Sequence, residues 1–229
     1  MVNIPFQYHP DILQRYPYLS GVAILGGNIN NSPSSPELLR IYQLEQAKVK
    51  TDLGNRPLSE IPSLAGWRSA FRSFGVDPTQ YRSAAEALLR RLTKKGDIPS
   101  INAIVDCCNL VSIRYALPVA AIDLKQVTGM VTVCLANGSE HFNPLGEDAP
   151  GPPEPGEVIF IDVQSLVLAR RWCWRQSVES AAGLDATRLL ITIEAQDSAS
   201  GSLIEQAADE LRFLLGSHVG GDYLASRIQ

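Results

Sequence analysis

The chain has 229 residues, 45% of them apolar and 19% charged, with a formal net charge of −4. That length and composition allow one sizeable core and exclude a disordered chain. The acidic balance excludes the cationic coat of a non-sequence-specific DNA binder, so no DNA partner is expected and any nucleic-acid contact must be local.

No stretch approaches the roughly 20 apolar residues of a membrane span. The N-terminal "MVNIPFQYHPDILQRY" has no basic segment followed by an apolar run. A cytoplasmic protein without a membrane partner is expected. Its four cysteines, Cys107, Cys108, Cys134 and Cys173, have no CxxC spacing, which fits reduced thiols and implies no metal site and no cofactor.

In chain order, "GVAILGG" (21–27) reads as a buried strand that runs into the polar, proline-rich loop "NINNSPSSP". Leu38, Ile41, Leu44 and Val49 have helical spacing over 37–50, and a second helix over 63–75 ends on Gly75. "YRSAAEALLRRLTKKG" is a third. Its Ser83 and Glu86 have capping-box spacing, its last turn is cationic, and Gly96 stops it. A fourth helix is expected over 100–116 and a last one over 201–217. "PVAAIDL", "MVTVCLA", "EVIFIDV" and "LLITIEA" are β-branched runs bounded by turn residues, and "NPLGEDAPGPPEPG" (143–156) is a long loop. The class is α+β: a mixed β-sheet with helices packed on its faces. An N-terminal strand and helix lobe, 1–62, is expected to integrate with the core of a domain spanning 63–229.

Familiar chemistries find no motif. The three histidines, His9, His141 and His218, stand alone, and HExxH, GxSxG and GxxxxGK[ST] are absent. What remains is a polar set inside apolar elements: Asn102, Asp106, Asn109, Asp123, Glu140, Asp162, Thr187 and Glu194. Asn102, Asp106 and Asn109 share one helix face by spacing, and either tie the helix to neighbouring loops or line a pocket. The second unusual feature is "RRWCWRQ" (170–176), three arginines and two of the three tryptophans in seven positions.

The run "YRSAAEALLRRLTKKGDIPSINAIVDCCNLVSIRYALPVAAIDLKQVTGMVTVCLANGSEHFNPLG", with "GEVIFID" and "RRWCWRQ" after it, resembles the tRNA-binding and editing domain of the β subunit of bacterial-type phenylalanyl-tRNA synthetase and its free-standing relatives. The likeness spans roughly residues 65 to 215. It rests on an ordered series: Val105–Asp106–Asn109, Pro118–Asp123, Gly129–Glu140, Leu145–Gly146, Ile161–Asp162 and Thr187–Glu194. The resemblance implies a three-layer fold of that domain's kind and hydrolysis of an amino acid wrongly esterified to tRNA. It also implies a partner, the tRNA 3′ end or an aminoacyl-tRNA. Two positions depart from the family pattern, Ala120 where a histidine is usual and Cys134 where an arginine is usual. The patch replaces a glycine-rich turn, as in the free-standing branch. The sequence has no catalytic synthetase domain, so ligase activity is not expected.

On that reading Asp106 or Glu140 would orient a water against the ester while Asn109 or backbone N–H groups meet the oxyanion. Asn102, Asp123, Gly146, Arg170, Arg171, Trp172, Arg175, Thr187 and Glu194 would hold the substrate. The arginines supply cations for phosphate or carboxylate, and the tryptophans supply stacking faces. Otherwise one tryptophan plugs the core while the arginines bridge surface acids. Strand alternation would then put Arg171, Cys173 and Arg175 opposite Trp172, Trp174 and Gln176. Ala120 favours a second possibility, a non-catalytic module that binds RNA or an amino-acid-like small molecule in the same pocket.

Overall fold

The structure, a computed structural model, describes residues 4–146, 151–198 and 200–228. Among the described residues, nine strands form two sheets. The first, mixed, runs β1 (Phe6–Tyr8), β4 (Val131–Leu135), β5 (Val158–Ile161), β6 (Val167–Arg170), β7 (Arg175–Gln176), with β1 and β4 parallel. The second is antiparallel, in the order β3 (Val119–Asp123), β8 (Leu189–Ala195), β2 (Ser20–Gly27), β9 (Asp222–Ile228).

Strand alternation sorts the antiparallel sheet onto two cores. Leu189, Ile191, Ile193 and Ala195 of β8, with Val22 and Ile24 of β2, face helices α2 (Pro36–Leu53), α4 (Ala84–Lys95), α5 (Ala103–Tyr115) and α6 (Gly201–His218). Leu190, Ala23 and Ile122 face the other way, onto Phe6, Val133, Phe160 and Leu168 of the mixed sheet. The result is three layers, helices, antiparallel sheet and mixed sheet. The expected α+β class holds, with the strands divided between two sheets. Helices α1 (Pro10–Arg15) and α3 (Pro62–Ser73) add Ile12, Trp67 and Phe71 to the core between the sheets.

Local chemistry sets the ends of α4. The Ser83 side chain accepts from Glu86 N–H, and Gly96 closes the helix in the left-handed region at φ 92°. Ala85, Leu89 and Leu92 are buried, while Ala87, Arg90, Arg91 and Lys94, three and four residues apart, share the outer face.

Residues 171–176 are not the continuous strand that alternation describes. β6 ends at Arg170, the chain turns over Arg171–Trp174, and β7 returns beside it. Arg171 (φ 45°) and Trp172 (φ 61°) both lie in the left-handed region, a strain of about 1–3 kcal/mol per residue for bulky side chains. Three bonds hold the turn: Arg171 N–H to Glu157 Oε1 at 2.9 Å, Trp172 N–H to Val158 O at 2.7 Å and Trp174 N–H to Arg170 O at 3.2 Å. Of the predicted loop 143–156, residues 147–150 lie outside the described ones; the rest carry no helix or strand, only the isolated bridge of Pro144 with Ser177.

Candidate functional site

The turn drives Trp172 fully inside, edge-on to Trp67 and Tyr16 at centroid distances of 5.2 and 4.8 Å. Beside it, at the seam of the two sheets, is a cavity of about 100 Å³. Pro118, Val119 and Ala120 wall it from β3 and its approach, Phe160 and Ala169 from the mixed sheet, and Trp174, Arg175 and Gln176 from the turn. Most of this wall is apolar. Two polar side chains project from one face of β8, Thr192 and Glu194, respectively 1% and 2% exposed.

Glu194 is held by Tyr8 Oη, which donates to its Oε1 at 2.8 Å, and by Trp172 Nε1, which donates to the same oxygen at 3.0 Å. Oε2 takes part in neither bond. Burial raises the Glu194 carboxyl from its ordinary 4.5 to about 7, against the lowering effect of the two donors. The Thr192 hydroxyl, by contrast, has no hydrogen-bond partner among the described residues. A buried hydroxyl without a partner costs roughly 1–3 kcal/mol, and such groups gather at ligand sites.

Ala84, the first residue of α4, also lines the cavity, and its N–H donates to Cys173 O at 2.8 Å. Helix α4 thus starts at the cavity wall. From there a groove of about 420 Å³ runs along Gln80, Arg82, Ala87, Arg90, Arg91, Lys94 and Lys95, bounded by Trp174 and Arg175. Trp174 and Arg175 belong to both hollows. Trp174 packs edge-on against Tyr81 at 5.0 Å, with the Arg171 and Arg175 guanidinium carbons 4.5 and 4.7 Å from its ring centre.

The residues singled out in the sequence fall into separate places. Glu194, Trp172 and Arg175 meet at the cavity. Arg170 does not: it is 1% exposed and forks onto Glu157 at 2.8 and 2.6 Å. Arg171 is buried over Tyr81, its guanidinium carbon 3.8 Å from the ring centre.

Asn102 caps α5, accepting from Val105 N–H at 3.0 Å and donating to Ala182 O at 2.9 Å. Asp106, fully buried, accepts from the Ser34 and Ser100 hydroxyls and from Ile101 N–H at 2.9 Å. Asn109 lies beside the Tyr42 hydroxyl. Glu140 closes its own turn by accepting from Asn137 and Gly138 N–H at 2.6 and 2.9 Å, and Asp123 accepts from Lys125 N–H at 3.0 Å. Gly146 adopts φ 109°, and Thr187 is exposed, its carbonyl accepting from Ile29 N–H. None of these seven lines the cavity or the α4 groove.

Two residues of the site, one holding Glu194 and one lining the cavity, had no signal in the sequence. Tyr8 lies 186 positions from its partner, and Thr192 reads as one more β-former in "LLITIEA". Burial pushes the Cys107 thiol up to about 12 and Cys134 up to about 11, and raises Cys173 and Cys108 well above the usual thiol range, which disfavours a thiolate nucleophile. Among the described residues no helix is long and apolar enough to cross a membrane.

Fold and site together define a three-layer α+β domain with a glutamate-floored cavity between its sheets and a cationic groove leading from it. Residues 66–211, more than half of the chain, match the B3/4 domain family, and the chain belongs to that family. It is 32% identical over 94 residues to the phenylalanine–tRNA ligase β subunit of Shewanella oneidensis, a stretch covering 41% of this chain and only 12% of that subunit. It is also similar in fold to an N-terminal fragment of the phenylalanyl-tRNA synthetase β subunit from Pyrococcus horikoshii. That match has a TM-score of 0.53 at 12% identity and covers 100% of this chain and 52% of the fragment.

Proposed function

We propose that the chain binds the aminoacylated 3′ end of a tRNA, with the aminoacyl group in the cavity and the terminal nucleotides along α4, and hydrolyses the ester of a wrongly attached amino acid. The observation that carries this reading is the joint occupied by Trp174 and Arg175, which border both the apolar cavity and the cationic groove. An aminoacyl ester has the same two parts, a compact side chain and, a few bonds away, a polyanion. Membership of a family whose relatives include a phenylalanine–tRNA ligase subunit supports it.

The chemistry is positioning. Glu194, buried on the floor, is placed to meet the side chain, and Arg175, at the mouth, to meet the carbonyl end. A water adds to the ester carbonyl, and the negative oxygen that develops is stabilised by the Arg175 guanidinium. The tetrahedral intermediate then expels the ribose oxygen, which takes the proton the water gave up, and the free amino acid leaves. On this reading Asp106 and Glu140 act through the loops they tie and Asn109 through its place beside Tyr42, outside the reacting atoms.

A second reading, binding without hydrolysis, is favoured by Ala120 in the cavity wall. Incubating the protein with a panel of misacylated tRNAs and measuring released amino acid tests the proposal. Release above the spontaneous rate from at least one substrate is expected. Retention of every ester, with binding intact, leaves only the second reading; absence of both binding and release removes both.

A further inference from the structure

We infer that the side chain this cavity takes is small and carries a hydroxyl, of the size of serine or threonine rather than tyrosine or phenylalanine. The inference rests on the reading above, and three observations carry it.

The first is size. The cavity holds about 100 Å³, whereas roughly 150 Å³ is the volume at which an apolar protein cavity accepts a benzene ring. Its walls are not easily moved aside: Phe160 and Trp172 are packed in the core between the sheets, and Ala120 and Thr192 are paired across β3 and β8. A side chain of one or two carbons and a hydroxyl fits this space and an aromatic ring does not.

The second is the Thr192 hydroxyl, buried in the lining with no partner among the described residues. The third is its neighbour. Glu194, also in the lining, stands two positions along the same strand face, roughly 7 Å away by strand rise, with Oε1 committed to Tyr8 and Trp172 and Oε2 in neither bond. A group placed between them can donate to the carboxylate and accept from the Thr192 hydroxyl. A hydroxyl is the small side-chain group that does both, donating to the carboxylate and accepting from Thr192. An aliphatic side chain of the same shape leaves the buried Thr192 hydroxyl without a partner and adds no donor for Glu194, and that penalty is what lets a site discriminate by a missing hydroxyl.

Binding of non-hydrolysable 3′-aminoacylamino-3′-deoxyadenosine analogues tests this directly, with threonyl and valyl as the matched pair and seryl, alanyl and tyrosyl alongside. The threonyl analogue should bind about tenfold or more tighter than the valyl one, since a hydrogen bond is worth roughly one such factor, and the tyrosyl analogue should bind worst. In Thr192→Val, with folding verified by melting temperature, the threonyl-to-valyl ratio should fall toward one. A merely structural Thr192 leaves that ratio where it was. Equal binding of all analogues, or a preference for tyrosyl or valyl, overturns the inference while the aminoacyl-end reading stands. No binding by any analogue overturns both.

Discussion

The Tyr8 hydroxyl, carried in on the edge strand of one sheet, donates at 2.8 Å to Glu194 in the middle of the other. The bond crosses the seam where Gly21 pairs with Glu194, and Gly21 is what lets it form. A Cβ added there would lie 2.3 Å from the Tyr8 oxygen. Gly21→Ala therefore forces Tyr8 away from the carboxylate, and destabilisation of about 1–3 kcal/mol is expected, the range for overpacking. Chemical denaturation of the variant measures it. A parent-like midpoint shows that the seam yields freely.

Glu194 makes stability depend on pH with a definite sign. Its carboxyl is raised to about 7, so between its ordinary 4.5 and 7 the folded state keeps a proton that the unfolded state has lost. Stability from this group is full below 4.5 and declines as pH rises toward 7, by at most about 1.4 kcal/mol per pH unit. Glu194→Gln removes the titration, and its stability should fall less than the parent's over that window. Denaturation curves at pH 5, 6 and 7 for both proteins check this, and identical pH profiles contradict it.

Asp106→Asn separates tying from chemistry. Its carboxylate holds two serine hydroxyls and one backbone N–H, linking α5 to the loops at 32–35 and 100–102. Replacing one oxygen by an amide nitrogen removes the charge that holds these donors and reverses the serine contacts, a loss of about 1–3 kcal/mol. Melting temperature should drop while affinity for an aminoacyl analogue is retained by the folded fraction. A stable variant that has lost deacylation returns Asp106 to the reacting atoms.

These outcomes bear on how much the sequence disclosed. Helix α4 was legible because its signals are local: Ser83, Glu86 and Gly96 lie within one segment and do what capping chemistry requires. Strand β9 was not, because it is an exposed edge of mixed polar residues that owes its form to pairing with β2. The polar face of α5 was visible by spacing, yet spacing says nothing about Ser34 and Ser100, which come to Asp106 from outside the helix. The arginine and tryptophan run stood out by composition. Its conformation did not, because Glu157, 13 residues before Arg170, captures that guanidinium and bends the chain after it. Glu194 stood out as a polar residue in an apolar strand and through the family resemblance, but its surroundings were not legible, since they depend on a tyrosine near the other end of the chain.

The neighbouring arginines should part in their effects. Arg170→Met leaves Glu157 buried without its fork, and breaking such a pair costs roughly 3–5 kcal/mol of stability. Arg175→Ala should instead weaken binding of an aminoacylated 3′-end analogue by about 1.5–3 kcal/mol, the value of a charge-assisted contact, and flatten its salt dependence. Titrations at two ionic strengths, paired with melting curves, distinguish the two. An Arg175 variant that binds like the parent makes the mouth of the cavity structural.

The account turns on one cavity and one groove sharing a single ligand. The most direct measurement compares the affinity of the protein for a CCA-ended RNA hairpin with and without a non-hydrolysable aminoacyl group, at one salt concentration. Tighter binding of the aminoacylated form is predicted, with the difference lost when Ala120→Phe fills the cavity and weak binding of the bare RNA along α4 retained. Equal affinity for the bare and aminoacylated hairpins, in a protein that binds both, would contradict it.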